Sequence, residues 1–172
     1  KYHGALALYY NKDLFDKLGV PYPESDLDHD GYLRVMRAVR DAGKDANNAT
    51  GQPVFGSMLD VSWERLQVHV NGWGGHFVDP QDATKSWMAR PEALTAFEWI
   101  RSRMWDDRVM ASKLDVENAT TTDAFVRGAV AMIEEGSWAL KDILDSATFR
   151  VGVAPFPRGP QRQVTLATTD GF

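Results

Sequence analysis

The sequence predicts an α/β fold in which short strands alternate with helices. Short apolar runs bounded by glycine or proline are typical of buried strands. Longer segments carry apolar residues at helical spacing, and the clearest is 91–105, which has proline in its first turn. The stretch 129–160 combines both signals, because a strand, a turn, a helix and a second strand follow one another directly.

Each element is predicted from its pattern and its flanking residues. Strands are predicted at 4–10, 54–58, 129–133, 151–155 and 163–168. Helices are predicted at 14–18, 31–42, 63–71, 91–105, 120–127 and 139–144. Ser62 or Asp60 is expected to cap the third helix. In the fourth helix, one apolar stripe is expected to contain Leu94, Phe97, Ile100 and Met104.

Composition limits the functional classes. The 172 residues suffice for one domain or one lobe, and the 44% hydrophobic content suffices for a core. The net charge of −5 argues against non-specific nucleic-acid binding, which needs a basic face. The absence of cysteine excludes disulfides, thiolate zinc sites and thiol catalysis. The sequence contains no apolar run long enough to span a bilayer.

The sequence also indicates no metal or cofactor. Asp26, Asp28 and Asp30 imitate the first half of a calcium-binding EF-hand loop, but Arg37 stands where the loop needs a glutamate. An acidic helix N-terminus accounts for these residues better. The histidines lack the helical pairing of a zinc site.

Two aromatic corners are candidates for ligand contact. Gly136, Ser137 and Trp138 follow a predicted strand, and Ser137 is expected to cap the next helix beside the indole of Trp138. The alternative is that Trp138 belongs to the core. In the second corner, 72–75, three glycines surround Trp73, which predicts a helix end where the backbone approaches a partner closely.

Three ordered groups of motifs resemble one protein family, the extracellular solute-binding proteins of bacterial ABC importers, family 1, which includes maltose-binding and other sugar-binding proteins. The groups extend over nearly the whole chain. They are LYYNKDLF at 8–15; GWGG at 72–75 with Asp79 and PEA at 91–93; and FVRGAVAM at 125–132 with GSW at 136–138 and GVAPFP at 152–157.

This resemblance implies a periplasmic-binding-protein-like (type II) fold with two lobes that close on a ligand. The chain 1–172 would be the second lobe, a short mixed sheet flanked by helices, and would join the missing first lobe through hinge crossings near 1–5 and 168–172. The implied partners are a small solute, in most cases a carbohydrate, and the ABC permease transmembrane subunits. The implied location is extracytoplasmic, in the periplasm or lipid-anchored at the cell surface, and no cofactor is implied.

The resemblance also assigns ligand-binding roles by position. Trp138 matches an aromatic residue that stacks on a sugar ring, with Gly136 and Ser137 as its neighbours in the corner. The other positions that match cleft-lining or hinge residues of the family are Trp63, Glu64, Trp73, Thr169 and Asp170. Gly4 stands where some members carry a carboxylate, so that ligand contact is expected to be missing.

Three alternatives stay open at the level of sequence. Asp60 and Glu64, one helical turn apart, could act as the two carboxylates of a carbohydrate-active enzyme. The solute could instead be a polyol, a peptide or an amino acid. A bare interaction module would use Trp87 or Trp105 as contact residues.

Overall fold

The computed structural model describes residues 2–44 and 53–170. Its strands are β1 Tyr2–Asn11, β2 Ser57–Leu59, β3 Val78–Asp79, β4 Asp82–Ser86, β5 Met110–Ala111, β6 Met132–Gly136, β7 Val151–Ala154 and β8 Ala167–Asp170. Its α-helices are α1 Lys12–Leu18, α2 His29–Ala42, α3 Trp63–Gly72, α4 Pro91–Trp105, α5 Thr121–Val126 and α6 Leu140–Ser146. Short 3₁₀ helices cover Lys113–Val116 and Ser137–Ala139.

Within the described residues, six strands form one mixed sheet in the order β5-β2-β6-β1-β7, and β8 pairs with the beginning of β1. Strand β2 runs parallel to β5 and to β6, whereas β1 runs antiparallel to β6, β7 and β8. The predicted mixed sheet is therefore confirmed. Because β1 is longer than its partners, its first residues extend beyond the main sheet and pair only with β8.

Helices cover both faces of the sheet, because consecutive residues of β1 and β6 are buried and neighbouring side chains of a strand point to opposite faces. Leu8 and Tyr10 of β1 pack into one apolar cluster together with α1, α2 and α4. Tyr9 packs into the opposite cluster, which includes Phe125 of α5 and Ile143 of α6. No helix within the described residues has the length and apolarity needed to cross a bilayer.

Capping residues define both ends of α1 and the beginning of α2. Asn11 Oδ1 accepts a hydrogen bond of 2.9 Å from Leu14 N, and Gly19 ends α1 in the left-handed region at φ +65°. Asp28 Oδ1 accepts a bond of 2.7 Å from Gly31 N, so this acidic segment caps a helix. Of the two residues expected to cap α3, Ser62 occupies the N-cap position but makes no side-chain capping bond, and Asp60 pairs with Lys113.

The strand predicted at 129–133 begins later in the structure. Residues 129–131 are apolar, and Val130 and Ala131 are buried, but they meet the segment before β2 only at an isolated bridge between Phe55 and Val130. The ladder forms later, at β6 and β2, because an apolar run indicates burial and not pairing.

The hairpin of β3 and β4 was missed because its strands are polar and largely exposed. Most of the predicted polar loop at 43–53 lies outside the described residues.

Helix α4 has the predicted bounds but a different buried face. Ala93, Ala96, Ile100 and Met104 are buried, whereas Leu94 is 53% exposed. The expected stripe was therefore wrong at Leu94. The small alanine side chains let the helix approach its neighbours closely, and this close face decides the orientation of α4.

A chain of buried polar groups crosses the core between α2, α3 and β6. His29 Nε2 lies 2.9 Å from His69 Nδ1, and His69 Nε2 lies 2.7 Å from Glu134 Oε2. His29 Nδ1 lies 3.0 Å from the carbonyl oxygen of Arg158. A carbonyl only accepts, so His29 donates from Nδ1 and its Nε2 accepts from His69 Nδ1–H. The contact between His69 and Glu134 then holds one further proton between the two side chains.

The pH dependence of folding follows from His29. Burial, together with the charge of the neighbouring His69, lowers the pKa of His29 to about 3. The unfolded chain binds a proton at this imidazole below its ordinary pKa of about 6.5, and the folded chain does not. The stability contribution is therefore complete above pH 6.5 and is lost as the pH falls towards 3.

We predict that protonation of His29 in the unfolded chain lowers the free energy of unfolding by about 2 kcal/mol between pH 7 and pH 5. His29→Asn keeps a donor near the Arg158 carbonyl but does not titrate, so its stability should fall less over this range. Urea unfolding at a series of pH values measures the difference. His76→Asn, on a half-buried histidine elsewhere, is the control, and an unchanged pH slope in His29→Asn would refute the assignment.

Candidate functional site

The carboxyl ends of the parallel strands β2, β5 and β6 meet at one edge of the sheet. In open α/β sheets this edge is where ligands bind. A depression of about 360 Å³ lies there, and we call it the Trp138 depression. The residues that line it are Asp60, Arg65, Lys113, Thr120, Thr121, Thr122, Glu135, Trp138 and Ala139.

A buried ion pair contributes to the lining of the Trp138 depression. The guanidinium of Arg65, at the beginning of α3, bonds through Nη2 to Glu135 Oε1, and the two side chains are only 9% and 7% exposed. Glu135 Oε2 accepts from Thr121 Oγ1 at 2.7 Å, and its Oε1 also accepts from Gly136 N at 2.8 Å. Both carboxylate oxygens are therefore satisfied, as burial of a charge requires.

The indole of Trp138 is the aromatic surface of the depression. The ring is 39% exposed, which excludes the alternative that Trp138 is a core residue. The Arg65 guanidinium carbon lies 5.7 Å from the indole centroid. A Cβ atom at Gly136 would lie 2.1 Å from the indole atoms, so the ring rests directly on the glycine backbone. Glycine is therefore required at 136 for this orientation of Trp138.

A second ion pair lies at the rim. Lys113 Nζ and Asp60 Oδ1 are 3.4 Å apart, and both side chains are more exposed than those of Arg65 and Glu135. The rim pair also lines a neighbouring depression of about 540 Å³ between α4 and the segment after β5, which we call the α4 groove. The α4 groove is mostly apolar, with Val61, Trp105 and Leu114 exposed along it.

The structure corrects the expected role of Ser137. Its side chain does not cap the helix that follows. Instead, Ser137 Oγ accepts a hydrogen bond of 3.2 Å from Ala5 N in β1. This bond joins the corner that carries Trp138 to the first residues of the chain. Thr169 and Asp170 lie in β8, where they pair with His3 and Tyr2 of β1, and the Asp170 side chain is outside the described part of the structure.

Trp63 and Glu64 lie in the first turn of α3, beside the Trp138 depression, but neither is among its lining residues. Trp63 is 59% exposed. The residue of this turn that enters the depression is Arg65, which sequence reasoning missed, together with Glu135. A signal was available, because Arg65 shares a helix face with the buried Val68 and His69.

Trp73 lies apart from the Trp138 depression. Its ring packs against His29 at a centroid distance of 4.2 Å and against Trp99 at 5.8 Å. The predicted helix end at 72–75 is confirmed, but the backbone that approaches it belongs to the same chain. Gly72 O accepts from Gln161 N at 3.0 Å, and Gly72 and Gly159 are in backbone contact.

Nothing in the described residues resembles a metal centre, since no group of three histidine, aspartate or glutamate side chains is arranged to hold an ion. The arrangement at the sheet edge instead combines an exposed aromatic plane with buried, oriented hydrogen-bonding groups. Such a surface suits a ligand that has one apolar face and several hydroxyl groups.

Several solved structures share this fold. One is the ABC substrate-binding protein Lmo0181 from Listeria monocytogenes, in complex with cycloalternan. The match covers 93% of this chain and 39% of Lmo0181, with a TM-score of 0.80 and 24% identity. Maltose-bound MalE3 from T. maritima covers 96% and 42%, with a TM-score of 0.74 and 20% identity. UgpB from Mycobacterium tuberculosis, in complex with glycerophosphocholine, covers 93% and 38%, with a TM-score of 0.72 and 18% identity.

The chain thus spans about two fifths of the length of these three proteins. The predicted periplasmic-binding-protein-like (type II) fold is confirmed by these likenesses. No curated protein sequence matches the chain. A family model described as bacterial extracellular solute-binding protein matches residues 2–171, which is nearly every residue. The chain therefore belongs to the bacterial extracellular solute-binding protein family.

Proposed function

We propose that the chain forms part of the substrate-binding component of an ABC importer and binds a sugar or oligosaccharide in the Trp138 depression. One observation carries the proposal. The indole of Trp138 is exposed beside Arg65 and Glu135, which are buried and held in place by hydrogen bonds. The protein would deliver the bound solute to the permease from an extracytoplasmic location, in the periplasm or on a lipid anchor.

The chemistry of a sugar ring supports this assignment. One face of a pyranose presents C–H groups, which pack on an indole, while the hydroxyls at the rim need donors and acceptors. The threonines at 120–122 and the rim pair of Asp60 and Lys113 supply both kinds of group. Two of the structural neighbours are described with saccharides, cycloalternan and maltose. A third is described with glycerophosphocholine, and because its glycerol part is a polyol, an uncharged polyol is the second candidate solute.

We further propose that 1–172 is one lobe of a two-lobed protein. Tyr2 to Ala5 pair with Ala167 to Asp170 in a two-stranded ribbon that continues beyond the main sheet. Two adjacent strands that leave a domain together are suited to be a hinge. The ribbon begins next to Ser137, so a movement at this hinge would be close to the ligand. The first lobe would complete the site from the other side.

Catalysis is not part of the proposal. Asp60, the first candidate carboxylate, pairs with Lys113, and Glu64, the second, is not among the lining residues of the Trp138 depression. A glycosidase needs two carboxylates that flank the scissile bond. We therefore expect no sustained turnover of aryl glycosides by the protein, measured by release of the chromophore. Turnover that is lost in Glu64→Gln would contradict this expectation.

Trp138→Ala tests the sugar-stacking role. In the two-lobed protein, we expect a loss of about 2 kcal/mol, or about thirty-fold in affinity for the saccharide that the protein binds, because the aromatic anchor that the bound saccharide would cover is removed. Calorimetry measures the affinity after a thermal-shift screen of mono- and oligosaccharides has identified the ligand. Trp105→Ala, on an exposed indole of the α4 groove, is the matched control. Equal affinities in the Trp138 variant and the parent would refute the role.

Gly136→Ala tests the orientation of the indole without removing it. The added methyl group would overlap the ring, so Trp138 has to leave its position over the depression. We expect the affinity to fall nearly as far as in Trp138→Ala. In the 172-residue chain, labelling with 5-fluorotryptophan should show a shifted resonance for Trp138, with the other five indole resonances close to their original positions. An unmoved Trp138 resonance would contradict this explanation of Gly136.

The 172-residue chain alone should bind the same saccharide weakly or undetectably. One wall of the site would be missing, so much of the ligand would stay hydrated. The free energy of binding would therefore be small. Calorimetry on this chain, beside the two-lobed protein, measures the difference. Micromolar affinity of the chain alone would contradict the two-lobe proposal.

A further inference from the structure

The charges around the Trp138 depression are balanced in pairs. Among the described lining residues, Arg65 and Glu135 pair in its buried part, and Asp60 and Lys113 pair at the rim. Each pair contains one cation and one anion. An uncharged ligand would meet no excess charge of either sign.

The buried pair has little freedom to rearrange. Glu135 receives hydrogen bonds from Arg65, from Thr121 and from its own neighbour Gly136. An anionic ligand group that took Arg65 for itself would leave the Glu135 carboxylate buried without its cation. Such an unpaired buried charge is strongly unfavourable. A hydroxyl group makes no such demand, because it can accept from a guanidinium that keeps its pair.

We propose that Glu135, by neutralising Arg65, is the residue that restricts the Trp138 depression to uncharged ligands and rejects carboxylates and phosphates. The inference rests on the proposed function only in taking the ligand to be a saccharide. In those terms, Glu135 selects neutral sugars against uronic acids and sugar phosphates. Glu135 acts on the ligand through Arg65 and through the charge that it supplies to the depression.

Charged quenchers of Trp138 fluorescence test this role without any sugar. The parent chain and each variant are measured twice, once with Trp138 and once with Trp138→Phe. The difference between the two fluorescence intensities is the contribution of Trp138. Iodide, caesium and acrylamide serve as the anionic, cationic and neutral quenchers at constant low ionic strength. In the parent chain, iodide and caesium should show no preference beyond that of the net charge of −5.

Glu135→Gln keeps the shape of the side chain and removes its charge. The unbalanced Arg65, 5.7 Å from the indole centroid, should raise quenching by iodide about threefold and leave quenching by acrylamide unchanged. Glu98→Gln is the matched control, because it changes the net charge equally at an exposed site on α4. Arg65→Gln is the mirror variant, in which iodide quenching should fall and caesium quenching should rise; it also serves if Glu135→Gln does not fold.

A second arm uses the full-length protein with methyl α-glucoside and methyl α-glucuronide, which differ only at C6, a hydroxymethyl group in the first and a carboxylate in the second. The parent should bind the glucoside and reject the glucuronide, and Glu135→Gln should gain affinity for the glucuronide by about tenfold. The inference is overturned if Glu135→Gln and Glu98→Gln respond alike to iodide, or if the parent binds both glycosides equally. If neither glycoside binds while the quenching results hold, the exclusion of anions by Glu135 stands, and the screen of mono- and oligosaccharides decides the saccharide proposal separately.

Discussion

Two consecutive buried glutamates on β6 are the constraint on which the rest of the structure depends. Glu134 and Glu135 point to opposite faces of the sheet, since neighbouring side chains of a strand alternate. A buried carboxylate without a partner is costly, so each one has to find a donor. Helix α3 supplies both donors, because His69 bonds to Glu134 and Arg65 bonds to Glu135. Arg65 and His69 are four residues apart, about one helical turn, and the two bonds together hold α3 against β6.

This double attachment connects the core to the ligand edge. The His69 end continues through His29 into the buried interior, whereas the Arg65 end opens into the Trp138 depression. A rotation of α3 that moved Arg65 would therefore also break the bond between His69 and Glu134. The orientation of the guanidinium beside the indole is thus also supported by the bond between His69 and Glu134, neither of which lines the depression. Preorganisation of this kind lowers the cost of binding, because the polar groups are already ordered.

The sequence predicted most of the helices and the position of Trp138, because those signals are local. Apolar spacing, capping residues and a glycine before an aromatic residue can each be recognised within a few positions. The Arg65–Glu135 pair could not be recognised in this way, since its members are 70 residues apart and meet only after folding. Trp73 shows the same limit. Its glycine neighbours predicted a close approach, but the side on which the indole packs is decided by His29 and Trp99, which lie far away in the sequence.

The two halves of the candidate site therefore differ in physical origin. Trp138 is held by its own neighbours, because Gly136 leaves space for the ring and the 3₁₀ turn at Ser137–Ala139 directs the chain away from β6. Arg65 and Glu135 are held by tertiary contacts, because separating a buried ion pair would leave an uncompensated buried charge. A change in the pair can alter the charge that a ligand meets without moving the indole, whereas a change at Gly136 moves the indole and leaves the charge unaltered. Stacking and charge selection are for this reason separable properties of one depression.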